Sequence, residues 1–178
     1  MQKTILFVLV ALLGLVAGFV VQKFMQPTTT PVTEKPAAGV PTKAPAFTLK
    51  DLEDKQRNSE EWNGKVVMVN FWASWCPPCR REIPAFIRLQ ETYAKQGFVI
   101  VGIALDNKQN IIDFSDPLAM NYPILLAEQE GIALAQAYGN RLGVLPYTVI
   151  IDRTGKIVYT HRSELTYEVA EEVIKPLL

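Results

Sequence analysis

Two long runs of apolar, mostly β-branched residues dominate the middle of the chain, KVVMVNFWA at 65–73 and GFVIVGIAL at 97–105. Continuous runs of this kind are typical of strands that are buried on both faces of a sheet. Residues 77–95 place apolar side chains at mostly helical spacing with charged side chains between them, which predicts an amphipathic helix. Its apolar positions are Ile83, Phe86, Ile87, Leu89 and Tyr93. The pattern therefore predicts a strand–helix–strand unit.

The alternation of helices and strands continues to the end of the chain. The further predicted elements are a helix at 107–121, a strand at 122–127, a helix at 130–140 closed by Gly139, strands at 147–152 and 156–161 around an RTG turn, and a helix at 165–178. The last helix has Leu165, Val169 and Val173 on one stripe. Residues 46–62 add a small strand or hairpin before the core.

Helices that alternate with buried strands predict an α/β fold, a three-layer sandwich around one sheet. The sheet is expected to be mixed, because the hairpin formed by the last two strands imposes antiparallel pairing at one edge. Residues 46–178 are close to the usual size of one domain, and we expect a single globular unit there.

The N-terminal part of the chain has a different composition. Residues 5–21 form an uncharged apolar run of 17 residues, which approaches the length that spans the ~30 Å hydrocarbon core of a bilayer. We interpret residues 1–25 as a single membrane anchor, since no small-residue cleavage motif follows the run, and a cleaved signal sequence stays open as the alternative. Residues 26–45, rich in Pro and Thr, predict an extended linker of up to roughly 60 Å.

Charge adds little to this picture. The chain has 18 basic and 18 acidic residues, so nothing in the overall balance indicates a nucleic-acid partner.

Candidate chemistry centres on the two cysteines, Cys76 and Cys79, which are the only ones in the chain. Cys76 stands between the first buried strand and the helix, where unpaired backbone N–H groups and the helix dipole favour an anion such as a thiolate. Cys79 lies one turn further on the same face, close enough for the pair to form and break a disulfide. Pro77 and Pro78 fit the first helical turn, where a missing N–H costs little.

Other interpretations of the cysteines are weaker. A disulfide across so short a loop adds little stability through chain entropy, and a structural zinc site needs four ligands where the chain has two cysteines and one distant histidine, His161. Inert buried thiols remain an alternative. We expect redox activity without a cofactor or a bound metal, and we expect His161 to be a surface residue.

The segment FWASWCPPCRREIPAF, residues 71–86, resembles the active-site segment of thioredoxin-fold oxidoreductases. GVLPYTVIID at 143–152 is similar to the cis-proline segment of that family. Together with APAFTLKDLEDK at 44–55 and the predicted anchor and linker, these motifs resemble the membrane-anchored TlpA/ResA-like branch. The resemblance implies a thioredoxin-like fold over residues 46–178 with an N-terminal strand extension.

The resemblance also implies roles for individual residues. Cys76 would be the attacking thiol and Cys79 the resolving thiol. The implied substrate-binding residues are Trp75, Pro77, Pro78, Leu145 and Pro146, with Pro146 in the cis form and the Leu145 backbone pairing with an extended substrate.

Two further positions on the motif concern proton transfer. Glu82 matches a glutamate that this branch carries three residues after the second cysteine, where it tunes acid–base chemistry. Asn70 departs from thioredoxins, which have a buried aspartate there; proton transfer for Cys79 would therefore shift to Glu82 or water. Pro84 matches a proline inside the active-site helix.

The implied function is that of a thiol–disulfide oxidoreductase on the outer, periplasmic side of the cytoplasmic membrane. Its implied partners are disulfide-containing proteins, with apocytochrome c as one candidate, and a membrane-embedded thiol reductant.

Two alternative functions stay open. A peroxiredoxin-like peroxidase has a similar opening segment but needs Thr or Ser where this chain has Ala73. A Sco-like copper carrier needs C-x-x-x-C, one residue more than the spacing here.

Overall fold

A computed structural model of the chain describes residues 40–128 and 130–178. In these residues the strands are β1 Thr48–Asp51, β2 Gln56–Asn58, β3 Val66–Trp72, β4 Phe98–Ala104, β5 Ile124–Leu126, β6 Tyr147–Ile151 and β7 Ile157–Arg162. The α-helices are α1 Pro77–Tyr93, α2 Lys108–Ser115, α3 Glu130–Ala137 and α4 Tyr167–Ile174. Each predicted element is present, and the predicted α/β architecture is confirmed.

The seven strands described form one mixed sheet in the order β2-β1-β5-β4-β3-β6-β7. β3, β4 and β5 are parallel, and β6 pairs antiparallel with both β3 and β7. The opposite edge is antiparallel as well, because β1 pairs antiparallel with β5 and with β2. Antiparallel pairing was predicted at the edge formed by β6 and β7, and no pairing was predicted between β1 and β5. The pairing of β1 with β5 depends on how the chain folds back, which the local pattern does not encode.

The two faces of the sheet are covered by different helices. Alternate residues of β3 point to opposite faces; Met68 packs with Phe86 and Leu89 of α1, whereas Val69 belongs to the cluster that contains Ala135 of α3. The first cluster also includes Ala170 and Ile174, so α4 packs on the same face as α1. The result is a three-layer sandwich in which β4 is the middle strand of the sheet and β3 lies beside it.

Local sequence explains where the helices begin. Asn107 precedes α2 and accepts the Asn110 N–H with its side chain, and Thr166 does the same for the Val169 N–H ahead of α4.

The buried face of α4 differs from the predicted stripe. In α4 the fully buried positions are Ala170 and Ile174. Val169 and Val173, which were predicted for the apolar stripe together with Leu165, are only half buried.

The predicted N-terminal segments lie largely outside the described residues, including all of the anchor at 1–25. The last part of the predicted linker is described, and it pairs with the turn before β7: Ala44 N–H donates to the Gly155 carbonyl and Ile157 N–H to the Thr42 carbonyl. None of the helices in residues 40–128 and 130–178 combines the length and hydropathy that a bilayer span requires.

Truncation of Leu89 tests the packing of α1 on the sheet. The Leu89 side chain is fully buried, so Leu89→Ala should lower the free energy of unfolding by about 2–5 kcal/mol. Urea unfolding followed by tryptophan fluorescence measures the change. Leu142→Ala is the matched control, because Leu142 is 77% exposed and its truncation should change stability by no more than about 0.5 kcal/mol. Equal losses in the two variants would contradict the packing described here.

Candidate active site

The two cysteines form a disulfide at the start of α1. Cys76 is the residue that precedes the helix, and its Sγ accepts the Cys79 N–H at 3.4 Å. The Cα atoms of the two cysteines are 5.3 Å apart. Pro77 and Pro78 occupy the first two helical positions, where the helix needs no N–H donor. A thiolate at Cys76 would therefore face a free backbone N–H and the positive end of the helix dipole.

The turn between β3 and α1 is braced from the neighbouring strand. The Leu105 N–H donates to the Trp72 carbonyl at 2.8 Å, and the Ser74 hydroxyl donates to the Asp106 carboxylate. These bonds hold the residues that precede Cys76 against the end of β4.

Burial distinguishes the two sulfurs. Cys79 is fully buried and Cys76 is 3% exposed, so a reagent from solvent reaches Cys76 first. Trp75, directly before Cys76, is 65% exposed. Pro77 is exposed and Pro78 is half buried. The apolar indole of Trp75 is therefore exposed to solvent next to Cys76.

The peptide bond between Leu145 and Pro146 is cis. Pro146 is buried and directly precedes β6, the antiparallel neighbour of β3. Leu145 is half buried and packs against the apolar cluster that contains both cysteines. The segment that resembles the family's cis-proline loop thus lies against the apolar cluster that contains the disulfide.

The loop before Pro146 is held by a buried amide. The Asn140 side chain accepts the Val144 N–H at 3.3 Å and donates to the Val144 carbonyl at 2.8 Å. This arrangement presents Leu142 and Val144 with their side chains exposed. Neither residue was among the sequence-based candidates, because exposed apolar residues in a loop give no signal without the fold.

Glu82 lies on the buried face of α1 and is almost completely buried. Its two oxygens accept hydrogen bonds from the Asn70 side-chain amide at 2.8 Å and from the Leu165 N–H at 2.9 Å. The Asn70 amide also donates to the Thr148 hydroxyl at 3.0 Å. Asn70 and Thr148 are partners in the register of β3 and β6, so the sheet itself places both groups below the helix.

The environment of Glu82 raises the pKa of its carboxyl group. Burial raises the pKa of Glu82 to about 8, and the hydrogen bonds from Leu165 and Asn70 lower it without cancelling that effect. The negative charge of Glu164 adds a further increase. Glu82 is therefore a carboxyl group that can carry a proton near neutral pH, one turn of helix below Cys79.

The structure thus brings the predicted residues into one place. Cys76, Cys79 and Glu82 lie on one helix, and the Leu145–Pro146 peptide lies beside them. His161 differs from the expectation of a surface residue, since it is half buried and contacts Tyr159 and the Glu164 carbonyl. Thr148 and the Leu165 N–H were missed, because strand register and a backbone donor are invisible in the sequence.

No group of three or more potential metal-ligating His, Cys, Asp or Glu side chains occurs in the part of the chain that the structure describes. The chemistry that this arrangement supports is transfer of a disulfide between Cys76–Cys79 and another pair of thiols, with one buried carboxyl group beside it.

Comparison with known proteins agrees with this geometry. A family model described as "AhpC/TSA family" matches residues 40–160. The chain is 36% identical over 148 residues to the thiol-disulfide oxidoreductase ResA of Geobacillus thermodenitrificans, covering 81% of this chain and 83% of the relative. It is also 36% identical to the thioredoxin-like protein YneN of Bacillus subtilis, over 72% of this chain and 75% of the relative.

A solved structure shows the same fold. The thiol:disulfide interchange protein of the thioredoxin family from Chlorobium tepidum superposes with a TM-score of 0.69 and 31% identity, covering 79% of this chain and 99% of that one. The predicted thioredoxin-like fold is therefore confirmed. With a disulfide-forming cysteine pair at the helix start and relatives of this kind, the chain belongs to the AhpC/TSA family of thioredoxin-fold proteins as a ResA-like thiol–disulfide oxidoreductase.

Proposed function

We propose that this oxidoreductase works as a reductase of protein disulfides on the outer side of the cytoplasmic membrane. The observation that carries the proposal is the Cys76–Cys79 disulfide at the start of α1, directly above the buried Glu82 carboxyl group. In this role the dithiol form is the active species. The disulfide form described here is then the product of one turnover.

The proposed reaction proceeds in two exchanges. The Cys76 thiolate attacks one sulfur of a substrate disulfide, which forms a mixed disulfide and releases the first substrate thiolate. The Cys79 thiolate then attacks Cys76 Sγ, which forms the Cys76–Cys79 bond and releases the second substrate thiolate. Two electrons pass to the substrate, and its two sulfurs take up two protons. Cys76 attacks first because Cys79 is fully buried.

Glu82 is proposed to accept the proton of Cys79 before the second exchange. It then passes this proton to the substrate thiolate that the second exchange releases. Its carboxyl group lies one helical turn from Cys79, and burial keeps its pKa at about 8, close to that of an ordinary thiol at ~8.5. Because the two pKa values are similar, the free-energy change for moving a proton from Cys79 to Glu82 is small. Asn70 cannot ionise, so within this group of residues the exchange relies on Glu82.

Substrate binding is assigned to Trp75, Pro77, Pro78, Leu145 and Pro146. The exposed indole of Trp75 and the exposed loop side chains of Leu142 and Val144 provide an apolar rim for a polypeptide. An extended substrate segment would pair with the Leu145 backbone, as in strand addition at a sheet edge. Proteins with accessible disulfides, including apocytochrome c, are the proposed substrates, and a membrane-embedded thiol reductant regenerates the dithiol.

The alternative functions are less well supported. A peroxiredoxin needs a hydroxyl side chain three residues before its reactive cysteine, and the buried Ala73 occupies that position here. A Sco-like copper carrier needs a longer spacing between the cysteines and a nearby histidine, whereas the ring nitrogens of His161 contact Tyr159, Ser163 and the Glu164 carbonyl.

The midpoint potential tests the proposed direction of electron flow. Strong oxidants of this fold stabilise the reduced form, and a buried carboxylate near Cys79 opposes that stabilisation once it ionises. We therefore expect a potential close to that of thioredoxin, about −270 mV, when the protein is equilibrated with redox buffers and the thiols are counted by alkylation. A value close to about −120 mV, typical of a strong oxidant, would exclude the reductase role.

Glu82→Gln tests the burial of the carboxyl group. A folded-state pKa of about 8, above the ordinary 4.5, means that the folded protein holds this proton more tightly than the unfolded chain. The contribution of Glu82 to stability should therefore be greatest below pH 4.5 and should fall by about 1.4 kcal/mol per pH unit as the pH rises from 4.5 toward 8. Urea unfolding of the oxidised protein, in which the cysteines do not titrate, measures this fall, which Glu82→Gln should abolish.

Glu91→Gln is the matched control, since Glu91 lies on the exposed side of α1 and its variant should keep the fall. In the reduced protein, Glu82→Gln should also change the pH profile of thiol exchange. An unchanged exchange profile would remove Glu82 from the proton transfer while leaving the role of the cysteines intact.

The location of the protein is tested with the full chain in bacterial spheroplasts. A Cys79→Ser variant cannot resolve its mixed disulfide, so substrates should stay attached to Cys76 and be released by reductant. We expect the chain in the membrane fraction, with its attached substrates removed by protease added outside. Protection from that protease, with substrates trapped in the cytoplasm, would contradict the proposed orientation; Cys76→Ser, which lacks the attacking thiol, is the control.

A further inference from the structure

A single peptide group connects Glu82 to His161. The N–H of this group belongs to Leu165 and donates to Glu82 Oε2 at 2.9 Å. Its carbonyl belongs to Glu164 and lies 3.2 Å from His161 Nε2. Leu165 is buried, so the bond to Glu82 is shielded from water. The only histidine of the chain is thus one peptide group away from the buried carboxyl group.

Two groups contact His161 Nε2, the Glu164 carbonyl at 3.2 Å and the Ser163 hydroxyl at 2.9 Å. The carbonyl can only accept, so we assign the hydrogen to Nε2, and the Ser163 hydroxyl then accepts from the same N–H. In the neutral ring Nδ1 is then an acceptor, and the Tyr159 hydroxyl, 3.2 Å away, donates to it. The two rings are also stacked, with centroids 6.1 Å apart and planes 9° from parallel. The His161 ring is therefore held in one orientation from two sides.

We propose that His161 is a positioning residue for Glu82: its Nε2–H holds the Glu164–Leu165 peptide so that the Leu165 N–H stays directed at the Glu82 carboxyl group. This inference rests on the proposed acid–base role of Glu82 and deepens it. A donor on the carbonyl side of a peptide polarises the group and strengthens the N–H as a donor. The ionised form of Glu82 gains most from that bond, since it is the better acceptor.

Other ionisable groups also affect the pKa of Glu82, and their effects can be separated from that of His161. Glu164 raises the pKa of Glu82 by charge repulsion, and Arg81 neutralises part of that effect through its 2.6 Å ion pair with Glu164. Tyr122 is fully enclosed on the side of β5 and interacts electrostatically with Glu82. Cys79 lies on the same helix. None of these groups is altered by a substitution at His161.

The test is a direct titration of the Glu82 carboxyl carbon by NMR in the oxidised full chain. His161→Phe keeps the stacking on Tyr159 but removes the donor, and should raise the midpoint of the Glu82 titration by about 0.5 pH unit. His161→Gln can place its amide N–H where Nε2 stands and should restore the original midpoint. His161→Asn, whose amide reaches only the Nδ1 position, should behave like His161→Phe, and it serves in its place where that variant does not fold.

Ser163→Ala is the control for a purely local disturbance. The Ser163 hydroxyl lies 2.9 Å from His161 Nε2 and shares its hydrogen, so removing that hydroxyl leaves the bond to the Glu164 carbonyl in place and the midpoint should not rise. A midpoint in both His161→Phe and His161→Asn equal to that of the unaltered protein would overturn the inference. An equal increase in Ser163→Ala would do the same, because it would assign the effect to the loop in general.

A second measurement distinguishes this inference from the proposed function. The pH profile of Cys76 alkylation in the reduced protein should shift in His161→Phe, and the shift should vanish when Glu82→Gln is combined with it. A shift that persists in the double variant would overturn the path through Glu82. If Glu82→Gln alone leaves the alkylation profile unchanged, the acid–base role fails, while the carboxyl titration still decides whether His161 positions Glu82.

Discussion

One buried carboxyl group places the strongest physical constraint on this domain. Removing Glu82 from water is costly, and the fold compensates with two donors, the Asn70 amide and the Leu165 N–H, without lowering its pKa to the ordinary range. These donors come from β3 and from the segment before α4, which are far apart in sequence. The carboxyl group therefore ties the centre of the sheet, α1 and the C-terminal helix together at the point where the chemistry occurs.

The helix start and the buried Glu82 give the two cysteines different electrostatic environments. The start of α1 favours a thiolate at Cys76, through the Cys79 N–H and the helix dipole. An ionised Glu82 one turn below disfavours a second negative charge at Cys79. The two sulfurs are thus unequal in both exposure and electrostatic environment. This inequality supports the proposed order of exchange, because Cys76, the less deeply buried cysteine, is also the one whose anion is stabilised.

Local sequence patterns predicted most of the fold but only part of the site. Buried strands and amphipathic helices follow from periodicity, and the position of Cys76 before α1 follows from the strand-to-helix boundary. The burial of Glu82 could not be predicted from its charge and spacing, which equally suit a solvated helix face; the family resemblance indicated only its acid–base role. The pairing of β1 with β5 and the Leu165 N–H depend on tertiary contacts between distant segments, and so does the half-buried position of His161.

Asn70 explains why a single ionisable group suffices beneath the active-site helix. Its cross-strand partners, Gly102 and Thr148, are uncharged, and the next residue along this row is His161, the partner of Thr148 in β7. A Cβ at Gly102 would lie 3.0 Å from Trp72 Nε1 and 3.3 Å from Tyr122, which shows how closely the aromatic rings fill the remaining space. A second carboxylate in place of Asn70 would face Glu82 at hydrogen-bond distance, and the pair would share one proton. With a neutral amide there, the proposed acid–base role falls to one carboxyl group, and the proton affinity of that group is set by burial and by the donors that reach it.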